Sequence, residues 1–130
     1  MVIDSSVLIA ILLGETDSRR IICAIASALP GHRFIAAPTL LEAKTVIFNK
    51  LGVSGIKELD MLISRSAITI EGFCEHHVEI DQNAYIQYHG APAKLNFGDC
   101  FTYALAKSRN DSLLYKGDDF KYTDISRVEY

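Results

Sequence analysis

Short apolar runs alternate along this chain with longer stretches of helical spacing. Met1-Val2-Ile3 reads as a short buried strand, and the apolar run from Ser5 to Leu13 reads as a helix stopped by Gly14. Thr16 to Leu29 predicts a second helix, with Ile21, Ile22, Ile25, Ala28 and Leu29 on its inward side and Pro30-Gly31 closing it. Phe34-Ile35-Ala36 predicts a second strand. Pro38 suits the first turn of a helix running to Gly52. Val53 to Ser66 keeps helical spacing at Ile56, Leu59, Leu62 and Ile63, and the β-branched Ile68-Thr69-Ile70 predicts a strand. Asp81 to Tyr88 predicts a helix broken by Gly90-Ala91-Pro92. Phe97 to Arg109 predicts a strong helix with Phe97, Phe101 and Leu105 turned inward. Leu113-Leu114-Tyr115 predicts a strand, and Ile125 to Val128 a last edge strand.

Strands that alternate with helices, and are apolar throughout, indicate an α/β domain around a mainly parallel sheet. No linker, repeat or low-complexity stretch divides the chain, so one domain is expected over residues 1–130. In such sheets ligands bind beyond the carboxyl ends of the strands. Asp4 follows the first strand, and Asp118 and Asp119 follow the strand at Leu113, so topology places them on one edge.

Composition narrows the class. Hydrophobic residues make up 49% of 130, which excludes a disordered tail. The run from Val7 to Leu13 is far shorter than the ~20 residues a membrane span needs. Asp4 interrupts the start and no basic segment precedes an apolar run, so a cytoplasmic protein is expected. Cys23, Cys74 and Cys100 form no CxxC pair and are expected to pack as small apolar residues. The adjacent His76-His77 lack a cysteine pair for zinc and read as a solvated helix entry. A net charge of −3 argues against a simple DNA-binding module. Lys44, Lys50, Lys94, Lys107, Arg109, Lys116 and Lys121 lie near acidic segments, as surface charge or as contacts for a phosphate backbone.

The acids carry the candidate chemistry. Asp4, Glu42, Asp99 and Asp118 or Asp119 each fall where a strand ends or a helix begins. Each also has a structural reading. Asp4 suits a helix cap, Thr39-x-x-Glu42 and Asn96-x-x-Asp99 suit capping boxes, and Gly117-Asp118-Asp119 suits a turn. Together, several carboxylates on one sheet edge repel one another unless a cation lies among them. Hard divalent ions take oxygen ligands of this kind. No GxGxxG, GxxxxGK[ST] or GxSxG is present, and Asp4-Ser5-Ser6 lacks the second aspartate of an aspartyl phosphatase. A metal-dependent enzyme acting on phosphodiesters follows.

The same segments resemble PIN-domain ribonucleases of the VapC toxin type. Val2-Ile3-Asp4-Ser5-Ser6 resembles their opening motif, and the Leu41-Glu42 helix their second acid. Leu95-Asn96-Phe97-Gly98-Asp99-Cys100-Phe101 resembles their third-acid helix, and Gly117-Asp118-Asp119-Phe120 with Thr123-Asp124-Ile125 their closing motif. The resemblance spans the whole chain in order. It implies a three-layer α/β/α sandwich and a Mg²⁺- or Mn²⁺-dependent endoribonuclease that hydrolyses RNA with a metal-activated water. It implies that Asp4 and Asp99 hold the metal, that Glu42 and Asp119 support them, with Asp118 competing as the fourth acid, and that Ser5 or Ser6 is a hydroxyl neighbour. It further implies a homodimer and the toxin half of a toxin–antitoxin hetero-oligomer, held inactive by a VapB-type antitoxin. That partner would lay an apolar segment over helices Ser5–Leu13 or Val53–Ser66 and insert a basic residue among the acids. A housekeeping PIN nuclease of RNA maturation and a metal-free binding protein are the competing functions.

Overall fold

The computed structural model describes residues 1–130. Strand β1 (Val2–Ile3) leads through helices α1 (Ser5–Leu12) and α2 (Ser18–Ser27) to β2 (Phe34–Ala36). Helix α3 (Ala37–Arg65) leads to β3 (Thr69–Glu71). Helices α4 (Glu75–Tyr88) and α5 (Phe97–Arg109) precede β4 (Leu113–Leu114) and a 3-10 turn over Asp119–Tyr122. The four strands lie in the order β3-β2-β1-β4 and all pair in parallel. Residues 126–128 run beside β4 through a single parallel bridge, Leu113 to Arg127, instead of the expected full edge strand.

Side chains alternate across a strand, so two cores form. Ile3, Ile35 and Leu114 face a cluster with Val7, Leu8, Ile21, Ile25, Ile47, Leu59 and Ile63 from α1, α2 and α3. Val2, Phe34, Ala36 and Leu113 face the other way, onto Ala84, Leu95, Tyr103 and Leu105 from α4, α5 and the loop between them. Burial on both faces explains the continuously apolar β1, β2 and β4, whereas the edge strand β3 carries Thr69 and Glu71 and is open to solvent; the result is an α/β/α sandwich.

Local chemistry sets the helix limits. Asp4 caps α1 by accepting from the Ser6 amide, and Asn96 caps α5 by accepting from the Asp99 amide. Gly52 divides α3 with φ +67°, a left-handed conformation that glycine adopts freely. The expected helix boundary there is met: two helical segments join at a kink at Gly52. The α4 helix begins at Glu75, six residues before the expected start, because Cys74 and His77 form a capping box that no Ser/Thr/Asp pattern announces.

Several expected faces are corrected. Ile22, Leu29 and Phe97 are exposed, Phe97 by 71%. The α2 helix stops at Ser27, so Leu29 lies beyond it, and Ala24 takes an inward position with Ile21 and Ile25. His77 is buried rather than solvated. Only Cys100 is buried; Cys23 and Cys74 are exposed.

Candidate active site

The carboxyl ends of β1 and β4 open beside the N-terminal turns of α1, α3 and α5. Asp4 leaves β1, and its amide donates to the Leu114 carbonyl at 3.0 Å, which ties it to β4. Its side chain is 5% exposed and fully engaged. One carboxylate oxygen, Oδ2, accepts from the Ser6 amide at 3.0 Å and from Ser6 Oγ at 2.6 Å. The other, Oδ1, accepts from Thr102 Oγ1 at 3.0 Å. Ser6 Oγ in turn accepts from the Lys116 amide at 3.0 Å, so the loop after β4 braces the same carboxylate. Of the two serines, Ser6 is the one bonded to Asp4.

Asp99 occupies the first turn of α5. Its amide donates to Asn96 Oδ1 at 2.9 Å, and its Oδ2 accepts from the Asn96 amide at 2.8 Å, forming the expected capping box. Burial pushes the Asp99 carboxyl up to about 6; the Asn96 amide opposes this, and the charges of Asp4, Asp119 and Glu42 add to the rise. Three acids far apart in sequence thus act on Asp99 across one edge of the sheet. Asp119 opens the 3-10 turn and is exposed, whereas Asp118 lies 4.0 Å from Lys121 and acts on Tyr115.

Glu42 projects from α3 toward the start of α5, where it lies against Gly98. The capping box expected between Thr39 and Glu42 is absent. The α3 helix begins at Ala37, so Thr39 is already inside the first turn, and Ala36 occupies the cap position without a side-chain bond. Thr39 Oγ1 instead lies 2.9 Å from Thr102 Oγ1. Thr102 is the site residue that sequence reasoning missed. A threonine in mid-helix carries no signal of a partner on another element.

The donor set is all oxygen, which suits a hard divalent cation. No three His, Cys, Asp or Glu side chains lie within reach of one ion. A four-carboxylate direct shell is therefore not formed; Mg²⁺, which is usually held by one or two carboxylates and keeps several waters, does not require one.

Most of the nearby cations are committed internally. Lys44 pairs with Asp60, Lys107 with Asp124, Arg109 with Glu71, and Lys116 with both Glu15 and Asp17. Lys50 and Lys94 make no ion pair. Val7, Leu8 and Ala10 of α1 are in the core, whereas Ile11 of α1 and Leu62 of α3 line an open cavity away from the acids. The open apolar groove beside the acids is instead lined by Pro38, Leu41, Val46, Phe97 and Phe101, with Glu42 and Gly98 at its edge and a volume of about 520 Å³. No helix is long and apolar enough to cross a membrane.

Comparison with known proteins agrees with this geometry. Residues 1–126 match the PIN domain family. Ribonuclease VapC30 of Mycobacterium tuberculosis is 37% identical over 131 residues, covering 98% of each chain. Ribonuclease VapC of Mycolicibacterium smegmatis is 36% identical, covering 98% of this chain and 99% of its own. Among solved structures, the M. tuberculosis toxin VapC20, described as cleaving the sarcin–ricin loop, superposes with a TM-score of 0.79 at 14% identity over 99% of this chain and 98% of its own. A toxin–antitoxin complex from Klebsiella pneumoniae superposes with a TM-score of 0.73 at 18% identity over 95% and 92%. The chain belongs to the PIN-domain family and, within it, to the VapC ribonucleases.

Proposed function

We propose that this protein is the toxin of a type II toxin–antitoxin pair, a divalent-metal-dependent endoribonuclease acting in the cytoplasm. The observation that carries the reading is the meeting of Asp4 at the end of β1 with the acid-bearing N-terminal turns of α3 and α5, through the Thr102 bond to Asp4 and the approach of Glu42 to Gly98. The repulsion that raises the Asp99 carboxyl agrees with it. Such mutual repulsion is relieved by a cation, and the family supplies the reaction class. Asp4 and Asp99 are the residues that would hold Mg²⁺ or Mn²⁺, with Glu42 and Asp119 supporting them. A bound ion of this kind neutralises charge on the phosphate and makes water a better nucleophile.

The chain's own groups complete the chemistry. Asp4 is held in one orientation by Ser6 and Thr102, so it need not reorganise during the reaction. Asp99 is fixed by Asn96 through the helix cap. Glu42 and Asp119 are exposed beside Asp99, which supports a role for them as supporting acids open to water. The amides at the start of α5 direct partial positive charge toward the same edge.

The apolar groove at Leu41, Val46, Phe97 and Phe101 supports an antitoxin as partner. An apolar segment seated there would bring an Arg side chain within reach of Glu42 and its neighbours, where bidentate pairing is favourable. Exposed apolar surface on this scale, including Phe48 and Val53, also supports a homodimer.

The test is cleavage of total cellular RNA by the purified, antitoxin-free protein in Mg²⁺, in Mn²⁺ and in EDTA, beside Asp99→Asn. Discrete fragments in metal alone, absent with the variant, are expected. Equal cleavage by Asp99→Asn, or cleavage that persists in EDTA, would overturn the assignment.

A further inference from the structure

Thr39 and Thr102 are each 1% exposed, and they meet inside the protein between α3 and α5. A hydroxyl has one proton to give. Asp4 Oδ1 takes the proton of Thr102, so Thr39 must be the donor in the 2.9 Å contact between the two threonines. The direction is therefore fixed: Thr39 to Thr102 to Asp4.

The bond differs from what threonine and serine do elsewhere in these helices. Thr45 Oγ1 donates to the Leu41 carbonyl and Ser108 Oγ to the Leu105 carbonyl, each within its own helix. Thr39 and Thr102 instead reach across elements. Thr39 precedes Glu42 by three residues, and Thr102 follows Asp99 by three, so each hydroxyl lies about one turn from an acid on the same helix. The Thr39–Thr102 bond joins the two acid-bearing helices, and the Thr102–Asp4 bond joins them to the end of β1.

We propose that Thr39 and Thr102 are positioning residues, a buried hydroxyl relay that orients Asp4 and sets the separation of the Glu42 and Asp99 helices for divalent-ion binding. This rests on the nuclease reading above. Hydrogen-bond partners of ligating carboxylates orient them, and losing such a partner commonly weakens metal affinity by about 10–100-fold. Thr102→Val keeps the side-chain shape and removes both bonds of Thr102; Thr39→Val removes only the outer one.

The test is the affinity for Mn²⁺ of the isolated protein, by titration calorimetry, for wild type, Thr39→Val, Thr102→Val, Thr102→Ser and the double valine variant. Near-UV circular dichroism checks that each is folded. Thr102→Val is expected to bind about tenfold more weakly and Thr39→Val about threefold. Thr102→Ser is expected to stay close to wild type. In the double variant, Thr39→Val adds nothing to Thr102→Val, because the relay is already cut. In RNA cleavage, kcat falls with Mn²⁺ affinity while KM for RNA is unchanged. If Thr102→Val does not fold, Thr39→Val and Thr102→Ser carry the comparison. Wild-type Mn²⁺ affinity in a folded Thr102→Val, or effects that multiply in the double variant, would overturn the relay alone. A wild type that neither binds Mn²⁺ nor cleaves RNA would overturn the nuclease reading beneath it.

Discussion

Gly98 lies so close to Glu42 that a Cβ at residue 98 would come within 2.9 Å of Glu42 Oε1 and 3.2 Å of Asn96 Oδ1. Real Cβ atoms essentially never come within 3.0 Å of such an atom, so Glu42 must move. Alanine is otherwise preferred over glycine in a helix by about 1 kcal/mol. Glu42 is exposed and can swing away, so the fold should absorb the change. Gly98→Ala is therefore expected to unfold at the same urea concentration as wild type, or a higher one, yet to cleave RNA at least about tenfold more slowly. A rate equal to wild type would show that Glu42 needs no fixed position beside α5.

The Asp99 carboxyl gives a pH dependence of known sign. It titrates near 3.8 in an unfolded chain and is pushed to about 6 in the fold. The folded state thus holds a proton that the unfolded chain has released between those values. Stability from this group is full below pH 4 and is lost as pH rises through 6. A two-unit shift corresponds to about 3 kcal/mol at most; partial solvation reduces this to roughly 1–2 kcal/mol. Asp99→Asn keeps an acceptor for the Asn96 amide and has no charge to repel. In EDTA, it should gain stability over wild type at pH 7 compared with pH 4. Urea midpoints at the two pH values decide this, and a difference that does not change with pH would contradict the coupling.

Asp4 and Asp99 were legible as residues of one sheet edge because their elements were. Asp4 follows a strand whose every residue is apolar, and Asn96-x-x-Asp99 is a cap that forms as written. The parallel sheet then brings them to one edge. What was not legible depended on contacts between elements. Thr39-x-x-Glu42 has the spacing of a capping box, but the cap lies three residues earlier, at Ala36, and Thr39 turns to Thr102 on α5. Phe97 matched an inward position by periodicity, yet the first turn of α5 extends past the core into the groove beside Glu42. His77 looked solvated beside His76, but it caps α4 and stacks on Phe73. Periodicity registers which side of a helix is apolar, not where along its length the core ends.

Asp118 and Asp119 are adjacent in sequence and differ in surroundings. Asp119 adds to the rise of the Asp99 carboxyl, while Asp118 has Lys121 at 4.0 Å. Asp119→Asn is expected to lower the cleavage rate by about tenfold or more, as for loss of a group acting on the reacting water. Asp118→Asn is expected to stay within about twofold, because an exposed pair of this kind contributes little. The reverse order would assign Asp118 as the fourth acid.

Relief of repulsion among the acids should appear as stabilisation by divalent ions. A ligand that binds only the folded state stabilises it by RT ln(1 + [L]/Kd), about 1.4 kcal/mol at ten times Kd. Mg²⁺ is therefore expected to raise the thermal midpoint of wild type by several degrees beyond NaCl of equal ionic strength. Asp99→Asn should lose most of that gain. Equal shifts from Mg²⁺ and NaCl in wild type would mean that general screening, not a bound ion, is responsible.

Lys116 joins the loop after β4 to the α1–α2 connection through Glu15 and Asp17, while its amide braces Ser6. The two roles separate by substitution, since Lys116→Met removes the ammonium and leaves the backbone. The ion pairs hold the Lys116 amine well above its ordinary value and Asp17 below its own, each mainly through the side-chain bond between them. All three side chains are partly open to solvent, so the stability loss should be small. It should also shrink in 1 M NaCl, where screening extends to about 3 Å. With the Ser6 bond intact, Asp4 keeps its orientation, and RNA cleavage should stay within about twofold of wild type. A much larger loss of cleavage, with the urea midpoint little changed, would show that the Lys116 amine leaves Glu15 and Asp17 to meet the RNA phosphate.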